Sequence, residues 1–102
     1  MDKTAVLRAS RRFADEVVKA LAPDQILLFG SYATGTARED SDINIAVLFD
    51  GFEGDWLRVN AQLNRFAWNA NTLISPILLD SRVDRSGLVQ EVLNTGELIY
   101  KK

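Results

Sequence analysis

The sequence contains no cysteine and no histidine among its 102 residues. Without cysteine the chain can form neither a disulfide nor a thiol nucleophile, and the common cysteine-based zinc sites are excluded. Without histidine it lacks Ser-His-Asp catalysis, Cys-His catalysis and imidazole metal ligands. Any chemistry must therefore rest on carboxylates, hydroxyls, amides, lysine, arginine or a bound metal ion.

Long apolar runs and an excess of positive charge are also missing. No segment approaches the roughly 20 apolar residues that a membrane-spanning helix needs, and charges interrupt the N-terminal segment where a signal peptide would be continuously apolar. The formal net charge is −2, so the chain as a whole lacks the basic excess on which nucleic-acid binding depends. We expect a cytoplasmic protein that acts on a small molecule or a protein, and no nucleic-acid partner.

Composition and length indicate one folded domain. Hydrophobic residues make up 47% of the sequence and charged residues 25%, close to the average for a globular protein. No linker, repeat or low-complexity segment divides the chain, so we expect a single domain over residues 1–102. A domain of this size is too small to provide two lobes that close over a substrate, and the sequence leaves the oligomeric state open.

The spacing of apolar residues predicts the order α-β-α-β-α-β-α. The predicted segments are helices at 4–22, 56–70 and from 88 to about 95, a helical turn at 31–35, and strands at 25–29, 41–49 and 73–80. The segment "LIY" near the C-terminus could add a small strand, and Pro76 places the third strand at a sheet edge or a bulge. We expect an α/β (α+β) domain in which helices cover a small mixed sheet.

The segment "SDINIAVLF" alternates between two faces. Residues 43, 45, 47 and 49 are apolar and predict a core face, whereas the other face begins with Asp42 and Asn44 before Ala46 and Leu48. Because Asp42 and Asn44 are two residues apart on a strand, their side chains emerge on the same face. Two carboxylates in these positions could hold Mg²⁺ against triphosphate oxygens, but the second position is an amide.

Gly30 and Ser31 follow a short buried strand. Glycine permits a sharp turn and a close approach of a ligand, and the serine hydroxyl can face an anion. By itself the pair is most simply a strand-to-helix turn. Its significance comes from the Ser-Asp pair ten residues later, after a gap rich in glycine and small polar residues.

Residues 28–48 resemble the Gly-Ser…Asp-x-Asp core of the nucleotidyltransferase superfamily, the group related to DNA polymerase β. The short chain is similar to its minimal nucleotidyltransferases, including antitoxin-type members, and the likeness of layout extends over nearly the whole sequence. The resemblance implies transfer of a nucleoside monophosphate from an NTP, with ATP expected, to a hydroxyl in the presence of Mg²⁺. It also implies three metal-site carboxylates, the third on a later strand.

Carried onto this sequence, the resemblance assigns Gly30 and Ser31 to phosphate binding and Asp42 to the first metal carboxylate. Asn44 occupies the second carboxylate position, so the implied metal ligands are Asp42 and Asn44. Counting along "LISPILLD" places Ser75 at the third position, making Asp42, Asn44 and Ser75 the implied catalytic positions, although a gap could bring Asp80 there instead. Asparagine can offer an oxygen but no charge, so we expect weakened metal binding.

Two functions follow from the resemblance. In the first, the chain transfers a nucleotide to a hydroxyl, with a small helical HEPN-type protein as partner and acceptor. In the second, it is a catalytically degenerate nucleotide-binding or antitoxin-type protein that acts by binding a HEPN-like partner. The substitutions at positions 44 and 75 leave open whether the chain is an enzyme.

Several other polar and aromatic residues can be explained either by a structural or solvated position or by a role in binding. Arg8, Arg11 and Arg12 could meet an acidic partner, although a solvated helix face is the simpler explanation. Trp68 could anchor an interface or belong to the core. The charged run at 38–40 is expected to be a solvated loop, and Asp50 a turn residue.

Overall fold

The computed structural model describes all residues from 1 to 102 and confirms the predicted order of elements. They are α1 Lys3–Leu21, β1 Gln25–Phe29, α2 Ser31–Thr34, β2 Ile43–Phe49, α3 Trp56–Ala70, β3 Ile74–Asp80, α4 Leu88–Thr95 and β4 Glu97–Lys101. The "LIY" segment forms the additional last strand. No helix has both the length and the apolar character that crossing a membrane would require.

The four strands form one mixed sheet in the order β3-β2-β1-β4. β1 is antiparallel to both β2 and β4, whereas β2 and β3 are parallel. The end of β1 therefore lies beside the starts of β2 and β3. We call this end of the sheet the polar end, because Ser31, Asp42, Asn44 and Ser75 belong to it.

Pro76 lies on β3 at the edge of the sheet, as predicted. The N–H of Ser81 donates to the carbonyl of Phe49 on β2, so the odd-numbered residues of β3 direct their backbone groups toward β2. Pro76 consequently faces the open edge. Its missing N–H removes no hydrogen bond from the sheet.

The core lies between the sheet and the helices α1 and α3. Ile43, Ile45 and Val47 are fully buried, which confirms the predicted core face of β2. Phe13 and Leu63 project from the two helices into the same cluster. The opposite face of the sheet is covered less completely, because only the short helix α4 packs against it.

The helices begin and end at residues that the sequence supplies for this purpose. The Asp2 carboxylate accepts a hydrogen bond from the N–H of Ala5 at 2.8 Å, and Asp55 accepts one from Arg58 at 3.1 Å. Helix α1 ends at Ala22, whose left-handed conformation (φ 48°) turns the chain into Pro23. These residues thus set the boundaries of the two long helices.

The aromatic residues of α3 divide between the core and the surface. Phe66 is partly buried against the core, but Trp56 and Trp68 remain 46% and 71% exposed. Val59 rather than Trp56 therefore begins the inward face of this helix. Trp68 does not belong to the core.

Replacing Phe13 with alanine tests the importance of the α1–sheet contact. Phe13 is completely buried, so Phe13→Ala should lower the free energy of unfolding by about 3–5 kcal/mol through lost apolar contact and a residual cavity. Urea denaturation measures the change. Leu57→Ala, at a residue 82% exposed on α3, is the control and should change stability by less than about 0.5 kcal/mol.

Candidate functional site

The polar end brings together the positions that the sequence singled out. In the sheet, Asn44 is paired with Phe29 of β1 on one side and with Ser75 of β3 on the other. The position assigned to the third carboxylate, Ser75, therefore lies beside the position assigned to the second. Neighbouring strands are about 4.8 Å apart, so the side chains at positions 44 and 75 share one face at short range.

Gly30 and Asn44 are in direct contact. Gly30 has φ 76° and ψ −150°, a conformation that essentially only glycine adopts. A Cβ atom on this residue would lie 2.7 Å from Nδ2 of Asn44, closer than atoms can approach. The absence of a side chain at position 30 thus lets the amide of Asn44 lie against the backbone turn.

The turn after β1 is closed by its own backbone. The carbonyl of Gly30 accepts hydrogen bonds from the N–H groups of Ala33 and Thr34, at 3.0 and 3.1 Å, and from the hydroxyl of Thr34 at 3.2 Å. Ser31 begins the short helix α2 and is only partly exposed. Ser31 therefore directly follows the turn that lies against Asn44.

Asp42 is exposed and lies immediately before β2, rather than within it. The preceding loop fixes its position, because the hydroxyl oxygen of Ser41 accepts from the N–H of Arg38 at 2.7 Å and the Tyr32 hydroxyl donates to the Arg38 carbonyl at 3.2 Å. The strand starts one residue later, where the N–H of Ile43 donates to the carbonyl of Leu73. Residues 38–40 are largely exposed, as predicted for a solvated loop.

A groove of about 430 Å³ adjoins the Gly30 turn. Its lining residues are Phe29, Gly30, Ser31, Thr34, Thr36, Leu88, Glu91, Val92 and Thr95. The contribution of α4 was missed by sequence reasoning, because nothing in the sequence shows that α4 packs beside the turn. The sequence signal for a polar groove was limited to the small hydroxyl residues Ser31, Thr34 and Thr36 after Gly30.

The groove contains no lysine or arginine. A triphosphate bound here would have no protein cation along these walls to neutralise it, and the one charged lining residue, Glu91, has the same sign as a phosphate. The negative charge of a bound triphosphate would therefore have to be balanced by a metal ion near Asp42 or by groups from another molecule.

The residues of the polar end provide donors for at most one Mg²⁺ ion and do not form a site with three carboxylates. No group of three or more acidic residues in the structure is arranged to hold a metal. Asp42 offers one charged oxygen donor and Asn44 one neutral donor. Mg²⁺ is commonly held by one or two carboxylates together with substrate phosphates and water, so an ion would depend strongly on the nucleotide.

Asp80 lies at the opposite end of β3 and does not replace the third carboxylate. It is five residues beyond Ser75, which is roughly 16 Å along a strand, and an odd spacing puts it on the other face. Its carboxylate accepts hydrogen bonds from the N–H groups of Gly51, Phe52 and Arg82 at 2.9–3.0 Å. Asp80 therefore organises the turn between β2 and α3.

Asp50 belongs to the same turn region, as predicted. It accepts hydrogen bonds from the Ser81 hydroxyl at 3.0 Å and from Nε of Arg82 at 3.2 Å. Neither Asp50 nor Asp80 adds a carboxylate to the polar end. Among the predicted site positions at the polar end, Asp42 is the one that carries a carboxylate.

The comparison with protein families agrees with this geometry. The family described as "Polymerase beta, Nucleotidyltransferase" matches residues 14–102. The chain belongs to this nucleotidyltransferase family. The match includes β1, the Gly30 turn, β2 and β3, so the family covers every element that builds the polar end.

Individual relatives place this nucleotidyltransferase among small members of the family. A protein of Methanocaldococcus jannaschii, provisionally named a protein adenylyltransferase, is 31% identical over 77 residues, which are 72% of this chain and 75% of the relative. A crystal structure provisionally assigned as a nucleotidyltransferase, from Sulfolobus solfataricus, superposes with a TM-score of 0.74 over 98% of this chain and 84% of the other, at 22% identity. At that identity the likeness establishes the fold alone.

Two further solved structures are toxin–antitoxin complexes. One contains AMP-PNP, and the other is a MntA–HpeT variant in which two aspartates, two positions apart, are replaced by glutamate. Each matching chain is 26% identical, and the match covers 90% of this nucleotidyltransferase and 73% of the other chain. The TM-scores are 0.64 and 0.63.

The Gly30 turn gives a direct test of the geometry. Gly30→Ala should lower the free energy of unfolding by about 1–3 kcal/mol, because the new Cβ is strained by the backbone and collides with Asn44. Gly35→Ala is the matched control: Gly35 has φ 80°, but no heavy atom lies within 4 Å of the place that its methyl group would take, so only the backbone strain should remain. Equal losses for both variants in urea denaturation would show that the Asn44 contact is unimportant.

Asp80 predicts a pH dependence of stability. Its hydrogen bond from the N–H of Phe52, followed by that from Arg82, lowers the pKa of Asp80 below its ordinary value of 3.8. A carboxylate with a depressed folded-state pKa stabilises the protein above the unfolded value and loses this contribution as pH falls through the folded value. The stability difference between wild type and Asp80→Asn should therefore be largest near neutral pH and shrink below about pH 4, as followed by urea denaturation across pH.

Proposed function

We propose that this domain is a cytoplasmic, antitoxin-type nucleotidyltransferase that binds ATP at Gly30 and Ser31 and transfers its nucleotide only slowly to a hydroxyl of a protein partner. The observation that carries this proposal is the composition of the polar end. The Gly30 turn and Asp42 match the positions expected for phosphate and metal binding, but the two neighbouring positions that would complete an acidic cluster are Asn44 and Ser75.

In the proposed reaction, the chain contributes positioning more than acid–base chemistry. The Gly30 turn allows phosphate oxygens to approach the backbone, and the Ser31 hydroxyl donates a hydrogen bond to one of them. Asp42 and the Asn44 carbonyl oxygen would hold Mg²⁺, which supplies neutralising charge for the polyphosphate. The acceptor oxygen bonds to the α-phosphorus, the bond to the β-phosphate bridging oxygen breaks, and pyrophosphate leaves.

The reaction must also remove the proton of the acceptor hydroxyl, and the chain offers no evident general base for this step. The chain has no histidine, and Ser75 stands where a third carboxylate could accept the proton. The proton must therefore pass to water or to a group of the partner. Loss of one stabilising group commonly costs a factor of about 10² or more in rate, so two losses should leave slow transfer.

The similar proteins support a protein acceptor. The Methanocaldococcus relative is provisionally named a protein adenylyltransferase, which favours ATP as donor and a protein as acceptor. The two similar complexes pair the matching chain type with a toxin, which favours an antitoxin role here. A HEPN-type helical protein is the partner we propose, and its surface would complete a site that this small domain leaves open.

A second function is favoured by the same two neutral residues. If Asn44 and Ser75 abolish transfer altogether, the domain would act by binding its partner, with nucleotide as a bound ligand. The two functions differ in one measurable property, which is the labelling of the partner by ATP.

Restoring charge at position 44 separates the two functions. Purified protein is incubated with α-labelled ATP, Mg²⁺ or Mn²⁺ and the protein encoded by the neighbouring gene. Asn44→Asp should raise the labelling rate by about 10²-fold, because it restores a charged metal ligand without changing side-chain shape. Asp42→Ala should remove the labelling that wild type shows.

The controls identify the source of any change. Ser75→Asp, alone and combined with Asn44→Asp, tests whether the third position acts with the second, and calorimetric titration with Mg-ATP follows binding separately from transfer. Labelling by Asn44→Asp but none by wild type would refute slow catalysis and favour the binding function. If no variant binds ATP, the proposed site itself is wrong.

A further inference from the structure

Positive charge is concentrated in the two helices α1 and α3. Helix α1 carries five basic and two acidic residues and α3 carries two arginines and no acidic residue, which gives the helical layer a net charge of +5. The whole chain carries −2, so the remainder carries −7. Although the net charge of the chain is close to zero, the helices on the side of the sheet opposite α4 form a basic layer.

The arginines of this layer form no ion pair, although Asp15 borders the same grooves. The ion pairs of the structure join Lys3 to Glu97 and Arg82 to Asp50, and neither involves an arginine of α1 or α3. We define the basic helical surface by five exposed residues: Arg8, Arg11, Arg12, Arg65 and Trp68. Arginine is well suited to planar, bidentate contact with carboxylates.

The members of the basic helical surface are connected. Arg12 lines one groove along α1 with Arg8 and Arg11, and a second groove of about 430 Å³ between α1 and α3. Phe66 lines this second groove, and the Arg65 guanidinium lies 5.9 Å from the centre of its ring. Arg12 therefore borders both grooves, and Arg65 lies beside the second one through Phe66.

Trp68 adds an apolar contact at the end of α3. Its side chain is 71% exposed and follows Arg65 by three residues, so the two side chains are neighbours on the surface of α3. Tryptophan and arginine are among the residues most enriched where binding energy concentrates at protein interfaces. An exposed tryptophan beside unpaired arginines fits a partner that presents both carboxylates and an apolar pocket.

We propose that the basic helical surface binds an acidic protein. A protein is favoured over a nucleic acid because Asp15 and Glu16 also line the groove between the helices. A phosphate backbone carries negative charge throughout and cannot complement these two carboxylates, whereas an acidic protein can place a lysine or arginine opposite them.

Helix α1 begins and helix α3 ends at the end of the molecule that holds the candidate site. The N-terminal amine of Met1 donates to the carbonyl of Glu39 at 3.3 Å, and Nζ of Lys3 donates to the carbonyl of Tyr32 at 3.0 Å. These contacts hold the start of α1 against the loops of the polar end, and Trp68 lies in the last turn of α3, just before β3 begins there. In identifying the bound protein with the nucleotide acceptor, this inference rests on the proposed function.

Binding can be tested without nucleotide, so its failure is distinct from failure of transfer. The probe is a labelled synthetic helical peptide with glutamate on one face and leucine on the other, followed by fluorescence anisotropy at low and high salt. A peptide with lysine in place of glutamate and an oligo(U) RNA are the comparison ligands. Sedimentation of the protein alone tests for a second copy on this surface.

The decisive comparison uses two triple variants of equal charge change. The first carries Arg8→Gln, Arg11→Gln and Arg12→Gln, which remove the arginines of α1 from the basic helical surface. Its matched control removes three positive charges elsewhere, with Arg85→Gln, Lys101→Gln and Lys102→Gln. We expect the first to weaken binding of the acidic peptide about tenfold or more, and the control less than about twofold. Trp68→Ala should also weaken binding about tenfold, and Leu57→Ala should not.

Several outcomes would overturn the proposal. They are no binding of the acidic peptide, equal weakening by both triple variants, tighter binding of the RNA through the same arginines, and self-association that Trp68→Ala abolishes. Because the altered residues are exposed, circular dichroism and the unfolding midpoint should match wild type. These measurements show that lost binding is not lost folding.

Discussion

The register of the three strands β1, β2 and β3 is the constraint on which the polar end depends. Antiparallel pairing brings the end of β1 to the start of β2, and parallel pairing brings the start of β3 to the same place. A shift of one residue in β2 would reverse its two faces and expose Ile43, Ile45 and Val47. Burial of those side chains therefore also fixes the direction in which Asn44 points. The core and the candidate site are specified by the same alternation.

The elements of the fold could be predicted because their signals are local. Apolar spacing located the helices α1, α3 and α4 and the three main strands, and Pro76 indicated an edge strand or a bulge because a missing N–H is tolerated there. Pairing partners are not local. The sequence of α4 shows an amphipathic helix but not which face of the sheet it covers, so the wall that Glu91 and Thr95 form beside the Gly30 turn could not be anticipated.

The candidate site was predicted in part for a similar reason. Gly30, Ser31 and Asp42 carry a recognisable spacing, and counting along β3 was enough to place Ser75 beside Asn44 because an unbroken parallel register preserves such counts. The position of Asp80 could not be decided by counting alone, since one bulge would have changed its face. The Gly30–Asn44 contact needed coordinates, because it depends on a backbone conformation rather than on a residue pattern.

The two sides of the domain differ in what they offer a second molecule. The polar end provides hydroxyls, one carboxylate and a glycine turn, but no cation along its groove. The helical side provides arginines and a tryptophan, but no comparable turn for a phosphate. A protein that contacts both sides around the end of the sheet could contribute the missing charge at one of them while being held by the other.

The contact between Asn44 and Gly30 has a consequence for the history of the site. Asparagine and aspartate have nearly the same shape, so exchange at position 44 alters charge with little effect on packing against the glycine. The fold therefore exerts little selection between the two residues, and the choice is left to function. A domain of this kind can exchange one residue for the other by a single substitution and keep its architecture.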